Sequence, residues 1–173
     1  MPVSAQDLIE PGYTPARKHL HWLSALIILW ATFSGFGVAL LAPEHPVRVW
    51  VETLNPQLTS LFIPFFLARL WLYLRDTRAG RQPLHNKPAA IVHGLLYLVI
   101  LGVLITGVLM MTHPVTLLWV MTFPQLIHTS TVLASIHELH HVLCALLALL
   151  VTLHLGAVAL HAIRGQSVLH RMR

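Results

Sequence analysis

Four long apolar runs, separated by short polar segments, dominate the pattern along this chain of 173 residues. They cover approximately residues 20–42, 55–74, 89–111 and 141–163. Each run is close to the length of about 20 residues that an α-helix needs to cross the hydrocarbon core of a bilayer. The pattern therefore predicts a single all-α domain over residues 1–173, an integral membrane four-helix bundle surrounded by the lipid bilayer.

The stretch 115–136 is nearly uncharged and is a candidate for a fifth span. Pro114 and Pro124 divide it, however, and threonine and serine are frequent within it. A fifth span would also move the basic C-terminal segment to the outer side of the membrane. We therefore expect an external loop that lies on the membrane surface and contains a short helix.

Pairs of residues that end in proline indicate where several helices begin. Thr14-Pro15 precedes the first run, and the segment from Pro83 to Pro88 precedes the third. Asn55-Pro56 combines a favoured N-cap residue with a proline at the first helical position. Because both features favour a helix N-terminus, the second helix is predicted to start there.

The composition excludes several classes of protein. Hydrophobic residues make up 56% of the chain, charged residues make up 10%, and the mean hydropathy is +0.72. Soluble domains carry about 25% charged residues, so this chain has too few to cover a globule in water and is too apolar to be disordered. The single cysteine, Cys144, excludes a secreted scaffold held by disulfides.

The net charge of +5 would suggest nucleic-acid binding in a soluble protein. Here the cations instead cluster before the first run, in the middle connector and at the C-terminal end: Arg17, Lys18, Arg75, Arg78, Arg81, Lys87, Arg164, Arg171 and Arg173. The other two connectors contain only Arg48 among the cations. This alternation predicts that both termini and the middle connector are cytoplasmic, and no nucleic-acid partner is expected.

Histidine is the other anomaly, with 13 histidines against 6 acidic residues. An ionisable side chain at membrane depth is costly and suggests a function. At about 100° per residue, His140 and His154 share one face of the fourth helix and are about 21 Å apart along it. His21 opens the first helix at a depth similar to that of His154. Two such imidazoles facing each other across a bundle core are a suitable axial pair for haem iron.

These histidines are open to two other interpretations. Each intramembrane histidine could hydrogen-bond to a neighbouring helix or extend toward the membrane surface. A zinc site fits less well, because no carboxylate or thiolate cluster lies nearby and the histidines differ in depth.

An ordered set of short motifs spans residues 15–173: His21-Trp22-Leu23-Ser24-Ala25, His93-Gly94-Leu95-Leu96-Tyr97, Gly107-Val108-Leu109-Met110-Met111, Leu139-His140, His154 and Val168-Leu169-His170-Arg171-Met172. With these motifs the chain resembles the prokaryotic cytochrome b561 family. These are membrane four-helix proteins with two haems, related to the cytochrome b subunits of formate dehydrogenases and hydrogenases. The resemblance implies haem b as cofactor and a multi-pass location in the bacterial inner (plasma) membrane.

The family supplies four haem ligands, one each from the first and second helices and two from the fourth. By position, His21 and His154 would hold a haem b on the cytoplasmic side, and His140 would be a ligand of an outer haem. The remaining ligand should fall at Asn55, and an amide oxygen is a poor replacement for imidazole on haem iron. The outer haem is therefore expected to be absent, to be five-coordinate through His140, or to use a neighbour such as His45, His137 or His141.

Two further residues are candidates for cofactor binding. His93 matches a family position near a haem edge and could bond a propionate or a quinone, or it could be an interfacial residue at a helix start. Arg69 lies near the cytoplasmic end of the second helix, where it could neutralise a propionate or extend its charge to the surface.

The expected function is transfer of single electrons between haem b and a quinone or a redox partner. A superoxide:quinone oxidoreductase is an alternative, but the outer connectors hold Glu44, Glu52 and Glu138 against Arg48 alone, which disfavours attraction of an anion. A non-catalytic membrane anchor subunit of a dehydrogenase is a second alternative. A histidine-lined transporter for a metal ion or protons is weaker, because no inverted repeat is evident. Whether the chain is an enzyme, such as a quinone-linked oxidoreductase, and whether it works as a homodimer or with a redox partner subunit, stay open.

Overall fold

The computed structural model of the protein describes residues 14–79, 87–117 and 121–165. In this part of the chain the elements are α1 (Pro15–Val38), α2 (Pro46–Arg78), α3 (Lys87–Leu109), β1 (Val115–Leu117), β2 (Met121–Phe123) and α4 (Ser130–Ile163). All four helices are long and apolar enough to cross a membrane. The predicted all-α four-helix bundle is confirmed. Pro83, Arg81 and the motif at 168–172 lie outside the described residues.

The predicted start of the second helix is wrong. α2 begins at Pro46, and the Nδ1 atom of its N-cap His45 accepts a hydrogen bond from the backbone N–H of Val47 at 3.2 Å. Pro56 therefore lies inside the helix. His45-Pro46 provides the same combination of a capping side chain and a proline at the helix start. An interior proline removes only one backbone hydrogen bond, so the helix continues through Asn55.

The loop before α4 also differs from the prediction. β1 and β2 form an antiparallel hairpin in which Val115 pairs with Phe123, and no separate short helix occurs among the described residues between α3 and α4. α4 instead begins at Ser130, which is 11 residues before the predicted run at 141. The last proline in this part of the sequence is Pro124, so nothing interrupts the helix once it has started.

The helices pack mainly as two hairpins, α1 against α2 and α3 against α4, which are joined through α2 and α3. The core draws on all four helices and contains Ile27, Phe62, Phe66, Val99, Ile100, Leu104, Leu147 and Leu150. Large apolar side chains also cover the outside, including Leu26, Leu98 and Leu153, each more than half exposed. An apolar exterior of this kind suits a bilayer rather than water.

An ion pair fixes the first helix to the second near the N-terminus of α1. The guanidinium of Arg17 donates to the carboxylate of Asp76, whose side chain is only 10% exposed. Arg75 Nε lies 3.7 Å from the other carboxylate oxygen. The pair ties the beginning of α1 to the end of α2 and so sets how these two helices align.

Candidate functional site

Each helix contributes one basic side chain to a group that we call the inner cluster: His21 from α1, Arg69 from α2, His93 from α3 and His154 from α4. Arg69 Nη2 lies 3.0 Å from Nδ1 of His21. The rings of His93 and His154 meet edge to face, with centroids 5.4 Å apart. His21 is also within electrostatic range of both of these histidines. The four candidate residues that the sequence assigns to the cytoplasmic side thus lie together.

Within the inner cluster the contacts run in two pairs. His21 contacts Arg69 and has Trp22 as an edge-on ring neighbour at 5.7 Å, whereas His154 packs on His93. Among the described ring contacts, none joins His21 directly to His154. The two candidate iron ligands therefore flank the same region from α1 and α4 without touching.

Aromatic residues form the wall of the inner cluster between α2 and α3. The guanidinium of Arg69 lies 5.4 Å from the ring centroid of Tyr97, within the range of a cation–π contact. Tyr97 stacks on Tyr73 with centroids 4.4 Å apart. The Tyr73 hydroxyl lies near Gly94 of α3, where an added Cβ would stand at an ordinary contact distance of 3.5 Å. The stack holds Arg69 toward the interior of the bundle.

A second group, the outer cluster, lies toward the other end of the bundle and centres on His140. Its Nδ1 atom lies 2.9 Å from Oγ1 of Thr106 on α3, and its Nε2 atom lies 3.4 Å from Sγ of Cys144. The Thr106 hydroxyl donates to the carbonyl of Gly102 at 2.7 Å, so it accepts from Nδ1–H of His140. This network assigns the lone pair of His140 to Nε2.

Asn55 takes part in a separate network between α1 and α2. Its Oδ1 accepts from the indole N–H of Trp30 at 3.0 Å, and its Nδ2 donates to Oγ of Ser34 at 3.0 Å. Both ends of the amide therefore have partners on α1. The residue that stands at the expected ligand position serves here to join two helices.

On each helix, core residues lie between the inner cluster and the polar or tryptophan side chains of the other two networks. Along α4, for example, Leu147 and Leu150 lie between His140 and His154, and along α2 the side chains of Phe62 and Phe66 lie between Asn55 and Arg69. The 14 residues from His140 to His154 correspond to about 21 Å of helix rise. The bundle thus has a polar layer, an apolar layer and a second polar layer.

A groove of about 450 Å³ runs between α1 and α4. Its lining is mainly apolar and comprises Leu29, Thr32, Phe33, Phe36, Gly37, Leu40, Ala148, Val151, Thr152 and Leu155. None of the candidate histidines lines it, so the groove adjoins the clusters rather than containing them. It separates the two helices that carry the candidate iron ligands.

The sequence match decides the family. The family model described as prokaryotic cytochrome b561 matches residues 12–173, which include all of the described residues. The chain belongs to the prokaryotic cytochrome b561 family. It is accordingly a multi-pass membrane b-type cytochrome, for which the family implies haem b and a role in electron transport. None of the curated protein sequences matches the chain significantly.

The inner cluster of this cytochrome b561 protein has a donor set that fits haem b. It offers an imidazole from each side of the bundle and an arginine that could pair with a propionate. One contact must change, however. Arginine only donates, so Nδ1 of His21 accepts from Arg69 and its proton is on Nε2. Binding of iron through Nε2 needs the proton on Nδ1, and Arg69 would therefore have to release this ring.

The outer cluster does not fit a haem held by two imidazoles. The lone pair of His140 is on Nε2, where it faces the thiol of Cys144, and the amide of Asn55 is engaged with Trp30 and Ser34. The histidines proposed as substitutes are placed elsewhere: His45 caps α2, and His137 and His141 stack on each other along α4. No chemical step through an outer haem follows from these residues.

The sequence did not predict several of the residues that contact the candidate side chains. Thr106, Cys144, Trp30 and Ser34 carry no signal of their own, because each contact depends on how two helices are rotated or on a side-chain conformation. Tyr97 was part of a quoted motif, yet only the packing of α2 on α3 shows that it lies beneath Arg69.

Proposed function

We infer that this protein exchanges single electrons between one haem b, held at the inner cluster, and a quinone or a membrane-bound redox partner. His21 and His154 would hold the haem iron, and the protein lies in the bacterial inner membrane with both termini in the cytoplasm. The observation that carries the proposal is the convergence of one basic side chain from each helix on one region. Bound haem would supply reversible one-electron chemistry at its iron.

The residues of the inner cluster have distinct roles in this proposal. The imidazoles of His21 on α1 and His154 on α4 would hold the iron, which would supply electron transfer rather than binding of a small ligand. Arg69 would neutralise a propionate once it has released His21. His93, which contacts His154 and is exposed, is positioned to bond the other propionate or a quinone carbonyl. The apolar core keeps water away from one side of the site.

The details of the outer side support generic electron transfer over superoxide oxidation. Superoxide is an anion and would need a positive field on the outer side. Arg48 donates to Glu52 at 2.8 Å and to the carbonyl of Leu41 at 3.0 Å, so its charge is largely offset. Together with the engaged amide of Asn55, this favours a protein with one haem near the cytoplasmic side.

Haem content of the purified protein tests the proposal. We expect about one haem per chain and a sharp b-type band in the reduced-minus-oxidised spectrum. His21→Ala and His154→Ala should each abolish that band, because each removes one of the two iron ligands. His113→Ala, which changes an exposed histidine in the connector after α3, is the matched control and should keep it.

Other outcomes separate the alternatives. A folded protein that contains no haem would overturn the proposal and favour the dehydrogenase anchor. Two haems per chain would show that the outer cluster has a ligand other than Asn55. A normal spectrum in His154→Ala would show that the assigned inner ligands are wrong.

A further inference from the structure

Two histidines at the outer end of α4 belong to neither cluster. His137 and His141 are four residues apart, so they lie on one side of the helix, and their rings are nearly parallel, with centroids 6.3 Å apart and planes inclined by 7°. His141 is exposed and His137 is half-buried. Both rings are therefore within reach of the same small solute.

We propose that His137 and His141 form a surface site for a divalent transition-metal ion such as Zn²⁺ or Cu²⁺. Imidazole is a preferred ligand of these ions, and two histidines four residues apart on a helix hold zinc in metalloproteases. A metal–nitrogen bond of about 2.0–2.1 Å places two ring centres on one ion roughly 5 Å apart. The rings thus need to approach by about 1 Å, which side-chain rotation at an exposed site can provide. Water completes the coordination.

The same geometry excludes the binding of one haem iron by both His137 and His141. Axial ligands of haem bind from opposite faces of the porphyrin, whereas two side chains from consecutive turns of one helix approach from the same side. A small ion accepts two ligands in neighbouring positions. The pair therefore suits a metal ion that is not part of a haem. Because both rings are on α4, as His140 is, neither can take the place of the ligand expected from α2 at Asn55.

The charges around the pair also favour a cation. Glu138 follows His137 directly and is exposed. Arg48, the cation of the outer connectors, is already paired with Glu52. His140, although adjacent in sequence, is engaged with Thr106 and Cys144, and so it is not available as a third ligand.

The test is titration of the purified full-length protein in detergent with Cu²⁺, monitored by electron paramagnetic resonance. We expect one tight equivalent whose spectrum shows two nitrogen ligands. His137→Ala and His141→Ala should each weaken binding at least about tenfold, because each leaves a single imidazole. His128→Ala removes one exposed histidine of the connector before α4 and should leave binding unchanged.

A second variant tests the spacing rather than the number of histidines. Glu138→His combined with His141→Ala keeps the histidine count but places the two rings about 100° apart around the helix, and it should bind as weakly as His141→Ala alone. Tight binding by this variant, or unchanged binding by His137→Ala, would overturn the proposal. A fall in haem content of His137→Ala or His141→Ala would also overturn it, since these residues would then serve haem.

Discussion

His21 and His140 differ in which ring nitrogen carries the proton. Arg69 donates to Nδ1 of His21, whereas Nδ1 of His140 donates to Thr106. The lone pair of His140 is therefore already on Nε2, where only the weak thiol donor of Cys144 contacts it, whereas His21 can present Nε2 only after Arg69 has moved. His140 nevertheless lacks an imidazole partner across the bundle, because the residue at the expected position is Asn55 and its amide is engaged with α1.

The first residue-scale prediction concerns Asn55. Asn55→His supplies the missing imidazole opposite a histidine whose lone pair is already on Nε2, and we expect the haem content to rise from about one toward two per chain. Asn55→Ala is the matched control, because it removes the same contacts to Trp30 and Ser34 but adds no ligand. Haem quantification and the reduced-minus-oxidised spectrum measure the effect. A folded Asn55→His protein that still binds one haem would show that the outer cluster lacks space rather than a ligand.

At the scale of the helices, the sequence predicted that four helices exist more accurately than it predicted where each of them begins. The four apolar runs give the helices directly, because a membrane span needs about 20 apolar residues. The ends of α2 and α4 could not be predicted in the same way. Pro56 resembles a first helical residue, yet its neighbours continue the helix, and residues 130–140 are polar enough to resemble a loop although no proline interrupts them.

The ion pair between α1 and α2 yields a prediction at this scale. Asp76 is buried near the C-terminus of α2, where a negative charge is unfavourable unless a cation offsets it. Asp76→Asn removes the negative charge that strengthens the hydrogen bond from Arg17 and should cost about 1–3 kcal/mol of stability. Glu52→Gln, which breaks the exposed pair with Arg48, should cost at most about 1 kcal/mol.

Thermal unfolding of both variants in the same detergent measures the difference. Asp76→Asn should melt at a clearly lower temperature than the parent protein, and Glu52→Gln should melt close to it. Equal melting temperatures for Asp76→Asn and the parent would mean that the pair does not hold α1 to α2.

For the whole molecule, the sequence predicted a similar membrane depth for several candidate residues but not how they touch. Helix periodicity and the predicted topology place His21, Arg69, His93 and His154 at similar depth. The division into an Arg69–His21 pair and a His93–His154 pair depends on rotation of each helix about its axis and on side-chain conformation. The family resemblance supplied the candidate ligands, and it also identified Asn55 as the departure.

The alternation of polar and apolar layers predicts from which side of the membrane the haem can be oxidised. With haem only at the inner cluster, the apolar core lies between the iron and the outer surface, and electron transfer slows steeply with distance. Ferricyanide, which does not cross membranes, should oxidise the reduced haem faster in inverted vesicles than in right-side-out vesicles. Detergent-solubilised protein is the control and should lose the difference. Equal rates in the two kinds of vesicle would indicate a second electron carrier near the outer surface.

The groove between α1 and α4 has a consequence for how the protein matures. Among the described residues no connector joins α1 directly to α4, and these two helices make few direct contacts. Each hairpin can insert and pack before a planar group arrives from the surrounding lipid. Cofactor loading would then be the step that draws α1 and α4 together, and it would require neither hairpin to come apart.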